Sequence, residues 1–178
     1  LEKICQVYWG ICTNMKLLDN KFEKFGGAAS SYMIEADGQA VFLDAGTGII
    51  NAPYDIQNEI SIFVTHSHAD HIMGLPFFPM LTDPKKRIRI YLKAREGRSA
   101  KEQITAFLSP PLWPCTIDDY PAKVACVDWE SEVKLGNLTV SEMEGAHPGG
   151  CSVFRFDHDG KGIVYATDFE HGEGKDTE

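Results

Sequence analysis

Ile60-Ser61-Ile62-Phe63-Val64-Thr65-His66-Ser67-His68-Ala69-Asp70-His71 decides the reading of this chain. Its first half is short, apolar and rich in β-branched residues, which predicts a buried strand over 60–64. Its second half packs three imidazoles and a carboxylate into the six residues from His66 to His71. These side chains therefore stand on a loop leaving the end of a strand. Neutral imidazole nitrogens and carboxylate oxygens are the donors that a divalent ion such as zinc takes at about 2.0 to 2.2 Å. His66 and His68, two residues apart, are placed to share one ion. Asp70 and His71, further round the turn, are placed to address a second. An exposed polar loop, or a helix start capped by Asp70, is the plainer alternative. Four ligand-type side chains in this order weigh against it.

The run from His66 to His71 resembles the His-x-His-x-Asp-His motif that ends a strand in the metallo-β-lactamase superfamily of metallohydrolases. Phe42-Leu43-Asp44-Ala45-Gly46-Thr47-Gly48 upstream and Tyr165-Ala166-Thr167-Asp168 downstream are similar to two more of that family's motifs. Gly145-Ala146-His147-Pro148-Gly149-Gly150 is similar to the element that carries the third histidine of the first metal. The resemblance implies an α/β chain folded as an αββα sandwich, with two divalent ions at one edge of its two sheets. It implies that His147 joins His66 and His68 on the first ion, that Asp70 and His71 serve the second, and that Asp168 bridges the pair. Asp44 is then the carboxylate behind a metal-binding histidine, since an imidazole that coordinates through one nitrogen needs its other N–H held.

The chemistry so implied is metal-assisted hydrolysis, in which water between two dications loses its proton near neutral pH, with Asp70 and Asp168 as the catalytic carboxylates that orient it. Zinc is the first expectation, although imidazole and carboxylate ligands also accept manganese or iron. Within the family, aspartate at position 168 looks unlike the antibiotic-degrading lactamases, and His68 unlike the glutamate of the flavodiiron oxidoreductases. Phe25-Gly26-Gly27, Gly74-Leu75-Pro76-Phe77-Phe78 and the Ser109-Pro110-Pro111 loop look closest to the phosphodiesterase branch related to phosphoribosyl cyclic phosphate hydrolases. A small cyclic or nucleotide-like phosphodiester is therefore the expected substrate. Thioester or lactone hydrolysis is the alternative, and a degenerate metal-binding domain without turnover is the rival of a different class. The family carries a further histidine on a later strand well beyond the bridging aspartate, and the chain stops at Glu178. Residues 1–178 are accordingly expected to be a single domain, incomplete at the C-terminus.

Composition bounds the partners. At 178 residues and 43% hydrophobic content the chain can bury the core of one domain. With 26 acidic against 17 basic residues its formal charge is -9, which disfavours extended nucleic acid and anionic membranes. Two dications reverse that sign locally, so a small anionic substrate fits the cleft. A homodimer stays open as an assembly. Five scattered cysteines without a C-x-x-C pair fit reduced thiols and a cytoplasmic location better than a disulfide framework. No apolar run approaches the ~20 residues that a bilayer demands.

The remaining elements follow from pattern. Residues 4–9 predict an opening strand, and Tyr32 to Ala36 with Ala40 to Leu43 a hairpin about Asp37-Gly38. A helix is expected over 72–81, with Phe77 and Phe78 in the core. A strand is expected over 88–92, and a helix from a Ser99 capping box to about Leu108. Strands are expected at 123–129, 132–135, 138–143 and 163–166. Lys85-Lys86-Arg87 and His158-Asp159-Gly160 compose solvated turns, and His171 a surface loop. The three-proline stretch from Ser109 to Pro114 is stiff enough to wall the cleft, while Trp113 within it suits the core equally well.

Overall fold

The computed structural model describes residues 29–170. Its first sheet has the order β1 (Tyr32–Ala36), β2 (Gln39–Leu43), β3 (Glu59–Phe63), β4 (Arg87–Leu92), β5 (Lys123–Asp128), with β1 and β2 antiparallel and the remaining pairs parallel. Asp37 and Gly38, both at positive φ, close the hairpin. The second sheet runs β6 (Val133–Leu135), β7 (Leu138–Gly145), β8 (Cys151–His158), β9 (Lys161–Tyr165), antiparallel throughout. Alternation along the strands of the first sheet splits its side chains between two cores. One face, with Phe42, Ile60, Ile62 and Ile90, buries α1 (Ala69–Ile72), α2 (Ala100–Phe107) and the turns around them. The other face meets the second sheet, where Phe63 stacks on Tyr91 at 4.7 Å and packs edge-on against Phe154 and Phe156. The described residues thus build a helical layer and two sheets, and Met143 and Val164 stand exposed on the second sheet.

Four expectations need correction. The helix expected over 72–81 is the single turn α1 followed by two 3-10 turns, Leu75–Phe77 and Pro79–Thr82, because Pro76 and Pro79 remove the donors that an α-helix would use. Phe77 is consequently 52% exposed while Phe78 is buried. Strand β8 was not anticipated, since its start lies against Pro-Gly-Gly and its end against a turn. His158, at that end, is buried and lies 3.1 Å from Asp37 rather than solvated. Lys86 is buried too, its Nζ donating to the carbonyls of Ile56 and Gln57. Elsewhere the capping box of Ser99 and Glu102 forms as expected. Trp113 packs on the helix-side core and donates to Tyr120 Oη at 3.1 Å. Among the described residues, Cys115, Cys126 and Cys151 are free thiols. No described helix is long and apolar enough to cross a membrane. The strand expected over 4–9 and His171 lie outside the described residues.

This topology gathers one end of every ligand-bearing strand. Parallel pairing of β2 and β3 sets Asp44, just past one strand, beside Thr65 and His66, just past the other. In open parallel sheets it is these carboxyl ends that carry binding sites. The β7–β8 hairpin brings loop 146–150 to the same edge, and the antiparallel return of β9 delivers Asp168 there. Ser152 N donates to Thr65 O at 2.9 Å, tying the two sheets together at that edge.

The loops at this edge touch backbone to backbone. Ala45 N donates to His71 O at 2.7 Å and Gly74 N to Ala45 O at 2.9 Å. A Cβ on Gly74 would come within 2.1 Å of Gly46 O, so only hydrogen fits there. Gly74→Ala is expected to destabilise the fold by about 2 to 3 kcal/mol and to displace the histidine loop. Urea unfolding checks this, and an unchanged midpoint would refute the close approach.

Candidate metal centre

Thr65, His66, Ser67 and His68 continue β3 into α1, whose first turn holds Asp70 and His71. No side chain caps that helix, so Asp70 is free for another role. His147 opens a turn in which Gly150 N donates back to His147 O at 2.8 Å, with Gly149 at a φ of 79°. Proline followed by a positive-φ glycine is the composition of a type II turn, and it holds the imidazole rigidly over the sheet edge. Asp168 adopts φ 50°, a left-handed conformation that aspartate tolerates better than most residues.

These residues converge into two overlapping groups. Nitrogens of His66, His68 and His147 and an oxygen of Asp168 lie within 4.8 Å of one another, as do atoms of Asp70, His71 and Asp168. His68 Nδ1 is 2.8 Å from His66 Nε2 and 3.1 Å from His147 Nε2. Asp168 Oδ2 is 3.1 Å from His71 Nε2, 3.6 Å from His66 Nε2 and 4.0 Å from His147 Nε2. Asp70 Oδ2 stands 3.5 Å from His71 Nε2. Every residue singled out as a ligand from the sequence is therefore brought together, with Asp168 common to both groups. Three imidazoles and a carboxylate form a donor set suited to a divalent ion, and two carboxylates with an imidazole suit a second. By their donor chemistry the described residues fit divalent metal ions.

Behind the ligands sits Asp44, with no solvent exposure. It accepts hydrogen bonds from Thr65 N at 2.7 Å, Thr65 Oγ1 at 3.1 Å, Tyr165 Oη at 2.9 Å and His71 Nδ1 at 2.7 Å. Burial alone would lower the pKa of His71, but the hydrogen bond and charge of Asp44, then Asp70 and Asp168, raise it to about 9. Below that value both ring nitrogens carry protons, Nδ1–H toward Asp44 and Nε2–H toward Asp70 and Asp168, and a metal ion bound there would displace the Nε2 proton. The opposite holds for His66, which burial and then the neighbouring His71, His68 and His147 push down to about 3, leaving a neutral ring. Since Thr65 Oγ1 spends its proton on Asp44, it is the acceptor for His66 Nδ1–H at 3.0 Å, which leaves His66 Nε2 as a lone pair facing the centre. His147 Nδ1 lies 3.3 Å from Glu170 Oε1.

Asp44 was legible as a support for a histidine, whereas Thr65, Tyr165 and Glu170 were not singled out. For Tyr165 a signal existed. A tyrosine at the inward position of a strand end needs a partner for its hydroxyl, and the only buried carboxylate among the motifs is Asp44. Beside His66 and His68 opens a cleft of about 320 Å³. Tyr165→Phe removes one of the donors to Asp44, and zinc affinity is expected to fall about 10-fold while the fold persists. Competition with a chromogenic chelator reads this, and an unchanged affinity would reduce Tyr165 to a space-filling role.

Residues 25–177 match the family model of the metallo-β-lactamase superfamily. A ribonuclease Z from Metallosphaera sedula is 32% identical over 82 residues, covering 40% of this chain and 28% of the relative. Among solved structures, the metallo-β-lactamase fold protein YhfI from Bacillus subtilis superposes with a TM-score of 0.55 at 16% identity, over 78% of this chain and 54% of that one. A metallo-β-lactamase with a HARLDQ motif from Cronobacter sakazakii gives 0.50 at 17% identity, over 79% and 56%. The chain spans about half the length of these solved structures and less of the ribonuclease. With the family model matched across all of the described residues, and with the histidine and aspartate groups meeting at one sheet edge, this chain belongs to the metallo-β-lactamase superfamily.

Proposed function

We propose that the chain carries the reacting centre of a two-metal phosphodiesterase that acts on a small cyclic or nucleotide-like diester. The observation that supports this most is the pair of ligand groups sharing Asp168. Asp168 Oδ2 faces His66 and His147 on one side and His71 on the other, so this one carboxylate would serve both groups, and paired ions held there would clamp a phosphoryl transfer. Zinc is the favoured metal, with manganese or iron acceptable to the same donors. When bound, two such ions supply an acidified water and neutralise charge that builds on phosphorus.

The chain's own residues do the rest. His66, His68 and His147 hold one side of the centre, and His71, fixed through Asp44, the other. Asp70, whose carboxylate is largely exposed, and Asp168 accept hydrogen bonds from the attacking water and set its direction. The cleft of about 320 Å³ lies at the lower end of the range for small-molecule sites, which favours a mononucleotide-sized substrate. A formal charge of -9 works against a long polyanion. RNA is the second substrate class in play, because the relative from Metallosphaera sedula is by name a ribonuclease.

The full-length protein is expected to hydrolyse bis(p-nitrophenyl) phosphate, to lose at least about 100-fold in rate on chelation, and to regain it with zinc or manganese. A faster reaction with an aryl thioester than with the diester would overturn the phosphodiesterase assignment in favour of the acyl-transfer branch. Metal analysis of the active protein is expected to return two ions per chain. His147→Ala and Asp168→Ala should each lower kcat/KM by about 100-fold or more. Retention of full activity by Asp168→Ala would rule out a shared carboxylate.

A further inference from the structure

The cleft beside His66 and His68 has two features that holding metal does not explain. One is a rigid basic turn. Arg95 and Arg98 exchange backbone hydrogen bonds at 3.0 and 2.8 Å, and Glu96 and Gly97 between them take φ values of 51° and 72°. Arg95 is pinned to the second sheet, its guanidinium bonding Glu144 and, at 3.0 Å, Ser152 Oγ. Lys93 lies 3.0 Å from that Glu144 carboxylate and from Glu142, which accepts from Ser152 Oγ. The charge of Arg95 is thereby met within the protein. Arg98 differs, because among the described residues its guanidinium has no hydrogen-bond or ion-pair partner although it lines the cleft. Glu102, whose Oε2 accepts from Ser99 N and Oγ, acts on Arg98 through its charge but makes no ion pair with it.

The other feature is an apolar wall. Phe107, from the last turn of α2, lines the cleft together with Leu112, which stands 70% exposed on the three-proline loop. That loop is held by Trp113, whose indole donates to Tyr120 Oη, which in turn donates to Pro76 O at 3.1 Å. The cleft therefore offers the candidate ligands, a guanidinium without an ion-pair partner and an apolar surface within one space.

Resting on the phosphodiesterase reading above, we propose that Arg98 and Leu112 form a specificity subsite for the part of the substrate beyond the scissile diester. A ring or other apolar portion lies on Leu112 and Phe107, and a second phosphate on the substrate binds Arg98. A guanidinium suits this role because its planar fork presents paired donors to phosphate oxygens. Glu96, on the same turn and also lining the cleft, opposes the anion, so its charge limits the affinity of the subsite.

The test uses the p-nitrophenyl ester of thymidylate with and without a second phosphate on its sugar. The metal-loaded protein should prefer the doubly phosphorylated ester about 10-fold in kcat/KM, mostly through KM. In Arg98→Gln the ratio between the two esters should fall to about 1, with Arg98→Lys in between, and in Glu96→Gln it should rise several-fold. Parent protein without the preference, or a preference that survives Arg98→Gln, would overturn the subsite. Hydrolysis of neither ester would overturn the phosphodiesterase reading instead. The subsite is then read without turnover, by calorimetric titration of thymidine bisphosphate, where binding about 10-fold weaker to Arg98→Gln than to parent upholds it and equal binding rejects it.

Discussion

A buried carboxylate with four donors on it is the constraint from which the site follows. Asp44 lies out of reach of solvent, so its charge is tolerable only while Thr65, Tyr165 and His71 remain in place around it. Those partners come from three parts of the chain. Thr65 ends the central strand, His71 belongs to the short helix that follows, and Tyr165 ends a strand of the other sheet. Satisfying one carboxylate therefore fixes the relative position of both sheets at the edge where the ligands stand. The same contacts bear on the ring protons, because a proton given by Thr65 Oγ1 to Asp44 leaves that oxygen an acceptor toward His66 Nδ1. Fold and coordination chemistry are here one set of hydrogen bonds.

Close backbone approach supplies what side chains alone would not. Gly46 and Gly74 let the loop after β2 and the segment after the histidines lie in contact, and the hydrogen bonds from Ala45 and Gly74 lock them. The aspartate loop and the histidine loop consequently move as one body. On the far side, the β7–β8 hairpin presents His147 on a turn set by proline and glycine. Ligand geometry within a few tenths of an ångström is expected of such a frame, since every ligand leaves a strand end or a constrained turn and none stands on a free loop.

The ligand set and the sheet order around it were legible because they rest on local signals. An apolar β-branched run before dense imidazoles, a Leu-Asp-Ala-Gly strand end and the Asp37-Gly38 hairpin each encode their own geometry. What stayed hidden depends on partners distant in sequence. His158 reads as a turn residue until Asp37, on the other sheet, is found beside it, and Lys86 until the carbonyls of Ile56 and Gln57 are. Strand β8 was obscured because it follows Pro-Gly-Gly directly and ends in the His158-Asp159-Gly160 turn composition, although Phe154-Arg155-Phe156-Asp157 alternates as a strand should. The helix expected after the histidines failed for a reason that was present in the sequence, namely that Pro79 follows Pro76 too closely for α-helical bonding to resume.

Charge distribution ties these observations to chemistry. A chain with a formal charge of -9 repels anions at long range, yet three carboxylates near its inner edge are already engaged, Asp44 by its own donors and Glu142 and Glu144 by Lys93 and Arg95. Those pairings withdraw negative potential from the cleft without adding free cations to the surface. Asp70 and Asp168 remain as candidate metal ligands, and divalent ions bound there would return positive charge to the cleft. Attraction of an anion would then be confined to the short range of the cleft, while the net charge of the chain disfavours polyanions. Discrimination by such a protein has to come from contacts inside the cleft, because its outer field offers no encouragement to any anion before it arrives.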